Sequence, residues 1–399
     1  MDKALLLIVT TVPETLATIL RHQPRLLAQR MNGHLDIALA TSPGEECEDI
    51  ARNEGLPVHA IRMTRGMSPL ADLISLFAMM RLLWRLRPTV IHSYTPKAGL
   101  IAMLAGMLCR VPVRVHTFTG LLFPSASGLR RRLLAGADRL ICACATQVIP
   151  EGFGVKHDLK EAHITAKPLR VIGHGNIAGV DTLYFHPRAI GTREASRTLA
   201  DRLGLTGDDF IFSYAGRLNR DKGLDELVAA FRRLPERAHL LIAGELDRSA
   251  PIGQDCLDAL NSHPRIHRLG FLSDIRPCLQ AADVLVLPSY REGFPNTVLQ
   301  AGAMERPAIV TDVNGSREII EHGLNGWIVA PHDAAGLERA MRHAMNTPFS
   351  QLSAMGERAR QRVAQRFDRQ QHIIRLSSFY LECLAPSSSL VANKQGTRA

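Results

Sequence analysis

Two stretches of the chain concentrate side chains suited to holding a negatively charged ligand. The first runs from Ala215 through Gly216, Arg217, Leu218, Asn219, Arg220, Asp221 and Lys222 to Gly223. It stands between an apolar run that reads as a strand and a pattern that reads as a helix. Gly216 and Gly223 allow the backbone close to a ligand, and Arg217 and Lys222 can converge on an anion there. The second, Arg291 to Gln300, follows the apolar run Val284 to Leu287. Pro295 suits the first turn of a helix, which puts Gly293 and Phe294 just before a helix N-terminus. Free N–H groups and the helix dipole at such a place favour phosphate or sugar oxygens. Glu292 stands at the mouth of the same cleft. Neither stretch is a P-loop or a Gly-x-Gly-x-x-Gly loop. Taken singly, each also fits a plain strand-to-helix turn, or a capped helix, with solvated charges.

The first half of the chain holds more scattered candidates. His92 and His116 sit at strand ends, where histidines serve either chemistry or packing, and His174 lies in an irregular segment. Glu14 follows Pro13 and fits a helix N-terminus. Arg130, Arg131 and Arg132 form a basic run near Leu121, Leu122 and Phe123, in the same region as Arg81, Arg85, Arg87, Arg110 and Arg114. Seven cysteines, only Cys142 and Cys144 closely spaced, give neither a disulfide framework nor a zinc pattern and suit a reducing compartment.

The elements that position these residues alternate along the chain. Leu5 to Thr10, Leu35 to Ala40, Val58 to Ile61, Val90 to His92, Val113 to Thr117, Leu140 to Ala143 and Val171 to Ile172 read as strands, with helical patterns such as Leu70 to Leu86 between them. Residues 173–191, with four glycines and no helical period, read as a linker. The rhythm then resumes with Phe210 to Tyr214, Leu240 to Ala243, Ile266 to Leu269, Val284 to Leu287 and Ala308 to Val310, and the stretch from Ser350 to Leu384 is helical. Such alternation is that of α/β domains built on parallel sheets. The expected division is 1–180, 181–385 with its last helices packing back on the first domain, and a disordered tail over 386–399. At 399 residues and 46% hydrophobic, the chain is long and apolar enough for two cores. No stretch reaches the ~18 apolar residues that span a bilayer, and the N-terminus reads as a first strand rather than an export signal.

The net charge of +10 is local. Residues 62–132 carry eleven basic residues against one acid, Asp72. Basic side chains beside exposed apolar ones suit an anionic membrane surface or a lipid diphosphate. With 5% aromatic residues and no nucleic-acid motif, nucleic acid is the weaker partner.

The two stretches, in this order in a second α/β domain, resemble the retaining family 4 glycosyltransferases of the GT-B fold, the type that builds bacterial capsule, O-antigen and other surface polysaccharides. The stretch from His92 to Gly99 is similar to that family's acceptor-domain segment. Gly173 to Phe185 is similar to its interdomain segment, and Thr311 to Ile320 to its loop near the donor. The resemblance covers nearly the whole chain. It implies two Rossmann-like doubly wound domains facing across a cleft. It implies a hexose or N-acetylhexosamine moved from a nucleotide-diphosphate sugar, UDP first, to a polyprenyl-diphosphate-linked saccharide, without metal or other cofactor. By the same resemblance Arg217, Lys222, Glu292 and His116 are catalytic. Gly216, Arg217, Lys222, Glu292, Gly293, Phe294, Pro295, Asn296, Thr297 and Gln300 bind donor, and Arg130, Arg131, Arg132 and Lys97 face acceptor or membrane. Two departures stand out. Gln300 occupies the position of the family's second acid, which binds ribose hydroxyls, so an uncharged amide replaces a carboxylate there. Thr119 falls where the family's active-site histidine usually lies, with His116 as its possible substitute.

The expected protein is therefore a cytoplasmic enzyme peripheral to the inner face of the membrane. A nucleotide-sugar epimerase of the same fold would share the donor site without a lipid acceptor. A non-catalytic sugar-binding protein would bind donor without turnover.

Overall fold

The computed structural model describes residues 3–64, 66, 68–247 and 250–385, which form two compact units. The first comprises the described residues of Met1–Glu151, Val155–Ala178 and Gln370–Ala399; the second comprises Gly152–Gly154 and Gly179–Arg369.

In chain order the first unit is built from β1 (Ala4–Val9), α1 (Gln23–Arg30), β2 (Leu35–Thr41), α2 (Glu46–Glu54), β3 (Val58–Ala60), α3 (Pro69–Leu86), β4 (Val90–Ser93), α4 (Pro96–Leu108), β5 (Val113–Phe118), α5 (Gly128–Cys144), β6 (Gln147–Pro150) and α6 (Phe153–Glu161). Its six strands are parallel in the order β3-β2-β1-β4-β5-β6. Strand parity explains the unbroken apolar run of β1. Leu7 and Val9 pack into one core with α3, α4 and α5, and Leu6 and Ile8 pack into another with α1. Both faces of the sheet are covered, so alternation of polar and apolar residues is absent.

The second unit holds α7 (Thr192–Arg202), β7 (Phe210–Ala215), α8 (Leu224–Phe231), β8 (Ala238–Ala243), α9 (Gln254–Ser262), β9 (Ile266–Gly270), α10 (Arg276–Ala281), β10 (Val284–Leu287), α11 (Asn296–Ala303), β11 (Ala308–Thr311), α12 (Ser316–Ile319), β12 (Gly326–Val329), α13 (Ala334–Asn346) and α14 (Phe349–Arg366). Its parallel order is β12-β11-β10-β7-β8-β9. Each sheet thus has the 3-2-1-4-5-6 order of a doubly wound dinucleotide-type domain, as expected. In each, the winding direction reverses between the first and fourth strands, β1 and β4 in one and β7 and β10 in the other.

Several expected elements differ. Leu140 to Ala143 is the last turn of α5, not a strand: Ala135, Asp138, Ile141 and Cys142 are buried at helical spacing. A four-residue apolar run fits either state, and the flanking period decides it. The sixth strand is β6, whose Gln147 and Pro150 hid it. Val171 to Ile172 forms no strand, and Leu169 makes an isolated bridge to Val148 instead. β12 was not anticipated. The division falls at residues 178/179, and the final helix α15 (Arg369–Leu384) groups with the first unit from Gln370 onward. Its Ile373, Leu376, Phe379 and Tyr380 join the same core as Leu6 and Ile8. The tail over 386–399 lies outside the described residues. All seven cysteines are free.

Candidate functional site

In the second unit the two anion-suited stretches leave the carboxyl ends of β7 and β10, the neighbouring strands at which the winding reverses. Open α/β sheets bind their ligands at such a switch point. β7, Phe210–Ala215, is buried along its whole length and stops at Gly216, whose N–H bonds the Ala243 carbonyl at 3.0 Å. The chain then crosses beside β8: Leu218 N–H donates to Glu245 O and Asp247 N–H to Leu218 O. A single 3-10 turn, Arg220–Lys222, leads into α8 through Gly223. Only glycine fits here, because φ is +66° and a Cβ would lie 2.1 Å from the Pro288 carbonyl oxygen.

Four charged side chains meet around this turn in two pairs. Lys222 Nζ donates to Glu292 Oε1 at 2.5 Å, and the side chains are only 19% and 10% exposed. Arg217 donates to Asp247 Oδ2 at 3.0 Å while remaining 69% exposed. Asn219 Nδ2 donates to the same carboxylate oxygen at 3.3 Å. Tyr214 lies beneath, its hydroxyl donating to the Arg217 carbonyl at 2.7 Å. Burial raises the Tyr214 phenol well above its usual range, and the Glu292 carboxylate raises it further. It is a fixed donor, not an acid. Arg291 is drawn aside to Asp221 at 2.7 Å.

The second stretch closes onto the first. Thr297 Oγ1, in the first turn of α11, donates to the Ala215 carbonyl at 3.1 Å. Asn296, Thr297 and Gln300 fall on one helical face and are partly exposed. Phe294 is 6% exposed and packs against Phe367 with ring centroids 5.3 Å apart, so this residue offers backbone rather than side chain. Helix α11 starts at Asn296 with Pro295 as its N-cap. Gly315 (φ +71°) lets the segment before α12 pass over this turn, since a Cβ would stand 2.4 Å from the Gly293 carbonyl oxygen. The arrangement offers two cations, each paired with a carboxylate, and a helix N-terminus at one strand crossing, which can hold a diphosphate and the polar groups on either side of it. Among the described residues no group of three or more His, Cys, Asp or Glu is placed to hold a metal ion.

The first-unit candidates are placed differently. His116 is fully buried, its Nδ1 2.8 Å from Ser93 Oγ. Its ring edge fills the space left by Gly99 of α4, where a Cβ would lie 2.4 Å from Cε1. Burial lowers its pKa to about 3. The histidine that the resemblance implies as catalytic thus lies inside the first unit with no exposed surface. His92 is also buried, shares hydrogen bonds with the hydroxyls of Tyr380 and Thr117, and stacks on Tyr94. Thr119 bonds the Tyr94 carbonyl at 2.9 Å. Lys97 is 12% exposed and held by both oxygens of Asp72 at 2.6 and 2.7 Å, so it does not face outward as expected. Arg130, Arg131 and Arg132 are exposed on α5, but Phe123 beside them is buried. His174 and Glu14 are exposed.

Family models for a glycosyl transferase 4-like domain and for glycosyl transferases group 1 match residues 18–175 and 209–347. EpsD of Bacillus subtilis is 30% identical over 303 residues, which cover 73% of this chain and 76% of that protein. The chain belongs to the family 4 glycosyltransferases. This glycosyltransferase is also 27% identical to the capsular polysaccharide biosynthesis glycosyltransferase CapM of Staphylococcus aureus, over 87% of this chain and 90% of that one. It is 25% identical to the Escherichia coli UDP-Gal:alpha-D-GlcNAc-diphosphoundecaprenol alpha-1,3-galactosyltransferase, over 80% and 82%. The crystal structure of Anabaena HepE in complex with UDP and glucose superposes with a TM-score of 0.79 at 17% identity, over 95% of this chain and all of that one. The fold of the glycosyltransferase is accordingly GT-B, two Rossmann-like domains. Sequence reasoning missed Asp247, the partner of Arg217, and a cluster in which Tyr290 donates to Glu226 and packs tilted against His332 with ring centroids 3.6 Å apart. The parallel pairing of β7 with β8 is what brings Asp247 to Arg217, and no local motif announces it.

Proposed function

We propose that this glycosyltransferase moves a hexose or N-acetylhexosamine, with retention at the anomeric carbon, from UDP to a polyprenyl-diphosphate-linked saccharide in bacterial surface-polysaccharide synthesis. The observation that carries the reading is the two ion pairs, Arg217 with Asp247 and Lys222 with Glu292, on the turn at the switch point of the second sheet. The names of CapM and the Escherichia coli galactosyltransferase support the class of acceptor and pathway. The UDP in the Anabaena complex, on the same fold, supports the nucleotide.

In this reading the bond between the sugar C1 and the terminal phosphate oxygen breaks, and a new bond forms from C1 to the acceptor hydroxyl oxygen. The hydroxyl proton passes to the departing phosphate, leaving UDP. Negative charge grows on that phosphate as the bond stretches, so Arg217 and Lys222 bind the transition state more tightly than the ground state. Both cations are already held by carboxylates, which limits the reorganisation needed when donor arrives. Glu292 accepts from a sugar hydroxyl, Gln300 meets the ribose, and no metal is required. Arg130, Arg131 and Arg132 draw the enzyme to anionic lipid at the inner face of the membrane. The test is incubation of UDP-hexoses and UDP-N-acetylhexosamines with a polyprenyl-diphosphate disaccharide, with and without chelator. A product heavier by one sugar, unchanged by chelator and with the donor's anomeric configuration by NMR, is expected. Isomerised donor without acceptor would replace transfer by epimerisation.

A further inference from the structure

The turn that carries Lys222 does not hold itself in place. It is a single 3-10 turn, closed by Lys222 N–H to the Asn219 carbonyl at 3.1 Å and Gly223 N–H to the Arg220 carbonyl at 3.2 Å. Bonds of this type have poor geometry, and one turn of them is easily deformed. At its entry the turn is tied by Arg220 N–H, which donates to the Ala250 carbonyl at 3.0 Å. The ties on the Lys222 side come from the segment that follows β10.

Tyr290 supplies two of them. Its N–H donates to the Asp221 carbonyl at 2.8 Å, and its phenol donates to Glu226 in the first turn of α8. Lys222 lies between these two holding points. The ring passes close to Gly223, where a Cβ would stand 3.3 Å from Tyr290 Cε1. His332, between β12 and α13, packs against the ring, and its Nδ1 is 3.8 Å from Glu226 Oε1. It does so with φ +61°, a left-handed backbone uncommon outside glycine. Arg291 adds bonds to the Asp221 carboxylate at 2.7 and 3.0 Å, but both side chains are more than 40% exposed and solvent screens the pair. Glu226 is only 19% exposed, so its bond to the phenol is shielded. Burial, and then the Glu226 acceptor, raise the phenol's pKa well above its usual range, so the hydroxyl stays a donor at neutral pH.

We propose that Tyr290, acting through Glu226, is a positioning residue of the donor site: it fixes the Arg220–Lys222 turn against the start of α8 and so sets where Lys222 Nζ stands. The grip is a property of the free protein. Its effect on transfer rests on the reading of Lys222 given above, since a misplacement of about 1 Å in a group that acts on the transition state costs up to about 100-fold.

The test uses Y290F, which keeps the ring and removes the hydroxyl. Hydrogen exchange of the full chain, without substrates, reads the grip directly. Y290F and E226A are expected to speed exchange of the Lys222 and Gly223 amides about tenfold or more and to leave those of β8 unchanged. E226Q keeps an acceptor for the phenol and should exchange like the parent. Transfer from a UDP-sugar is then measured where circular dichroism shows every variant folded. Y290F should lower kcat about tenfold with KM changed less than about threefold, and E226Q should restore kcat to within about threefold of the parent. Y290F/E226A should match either single variant, because both remove one bond. In a K222A background Y290F should cost less than about twofold. Unchanged exchange at Lys222 and Gly223 in Y290F would overturn the proposal. So would a parental kcat in Y290F while K222A is impaired, or the full tenfold loss repeated in the K222A background, which would mark a role that bypasses Lys222. Parental transfer by K222A strikes the donor-phosphate reading instead, and exchange in the free protein still decides the grip.

Discussion

Replacing Lys222 with alanine removes a cation from the donor turn and strands Glu292, whose side chain is only 10% exposed. The two consequences differ in size and can be separated. Breaking a fully buried ion pair costs about 3–5 kcal/mol, whereas an exposed pair is worth about 0–1 kcal/mol. The 2.5 Å contact, with Lys222 19% exposed, lies between these limits, so K222A should lose about 2 kcal/mol in urea unfolding. E292Q alone should lose a similar amount. The double variant K222A/E292Q has no orphaned charge, and the cycle should show about 1–2 kcal/mol of coupling. Catalysis will not follow stability. Loss of one preorganised group facing the departing phosphate should lower kcat about 100- to 1,000-fold, and the double variant should recover none of it. Unfolding curves and steady-state transfer with a UDP-sugar are measured on the same four proteins. Transfer by K222A within about threefold of the parent, or recovery in the double variant, would refute the reasoning that Lys222 stabilises the leaving phosphate.

The buried histidine makes a pH prediction. The folded pKa of His116 is lowered from 6.5 to about 3, so its contribution to stability is complete above about 6.5 and is lost as pH falls toward 3. H116Q should flatten that part of the stability–pH curve, measured by urea unfolding, and leave the pH profile of kcat unchanged. At Gly223, alanine meets both a φ of +66° and the Pro288 carbonyl, so G223A should lose more than about 2 kcal/mol in unfolding and weaken UDP binding together. At Gln300, Q300E restores a charge-assisted acceptor for ribose hydroxyls and should tighten UDP about tenfold by calorimetry.

Much of the fold could be read from the chain because parallel strands covered on both faces leave short, mainly apolar runs. β1, β7, β8 and β10 stand out for that reason. The reading fails where the run is too short or too mixed. Leu140 to Ala143 is apolar for four residues but belongs to the buried stripe of α5, while β6 hides behind Gln147 and Pro150. The turns after β7 and β10 were legible because glycine, proline and charge are compressed into ten residues or fewer. Their partners were not. Asp247 reaches Arg217 only through the pairing of β7 with β8, and Asp72 claims Lys97 from a different helix. His116 shows the same limit. The parity of β5 puts it on the side of Phe118, which packs in the core with α4, and only the fold reveals that Gly99 makes room for the ring. The basic total of the first half was visible from the start, but the exposed apolar side of α3 was not, since Leu70 to Leu86 reads equally well as a core helix.

The central claim is that Arg217 and Lys222 together hold the diphosphate of a uridine nucleotide. Calorimetric titration of UDP into the parent and into the double variant R217A/K222A tests it most directly. The account predicts saturable binding by the parent and a Kd weakened about 100-fold or more in the double variant, each charge-assisted contact being worth about 1.5–3 kcal/mol. Equal affinity in the two proteins would contradict it.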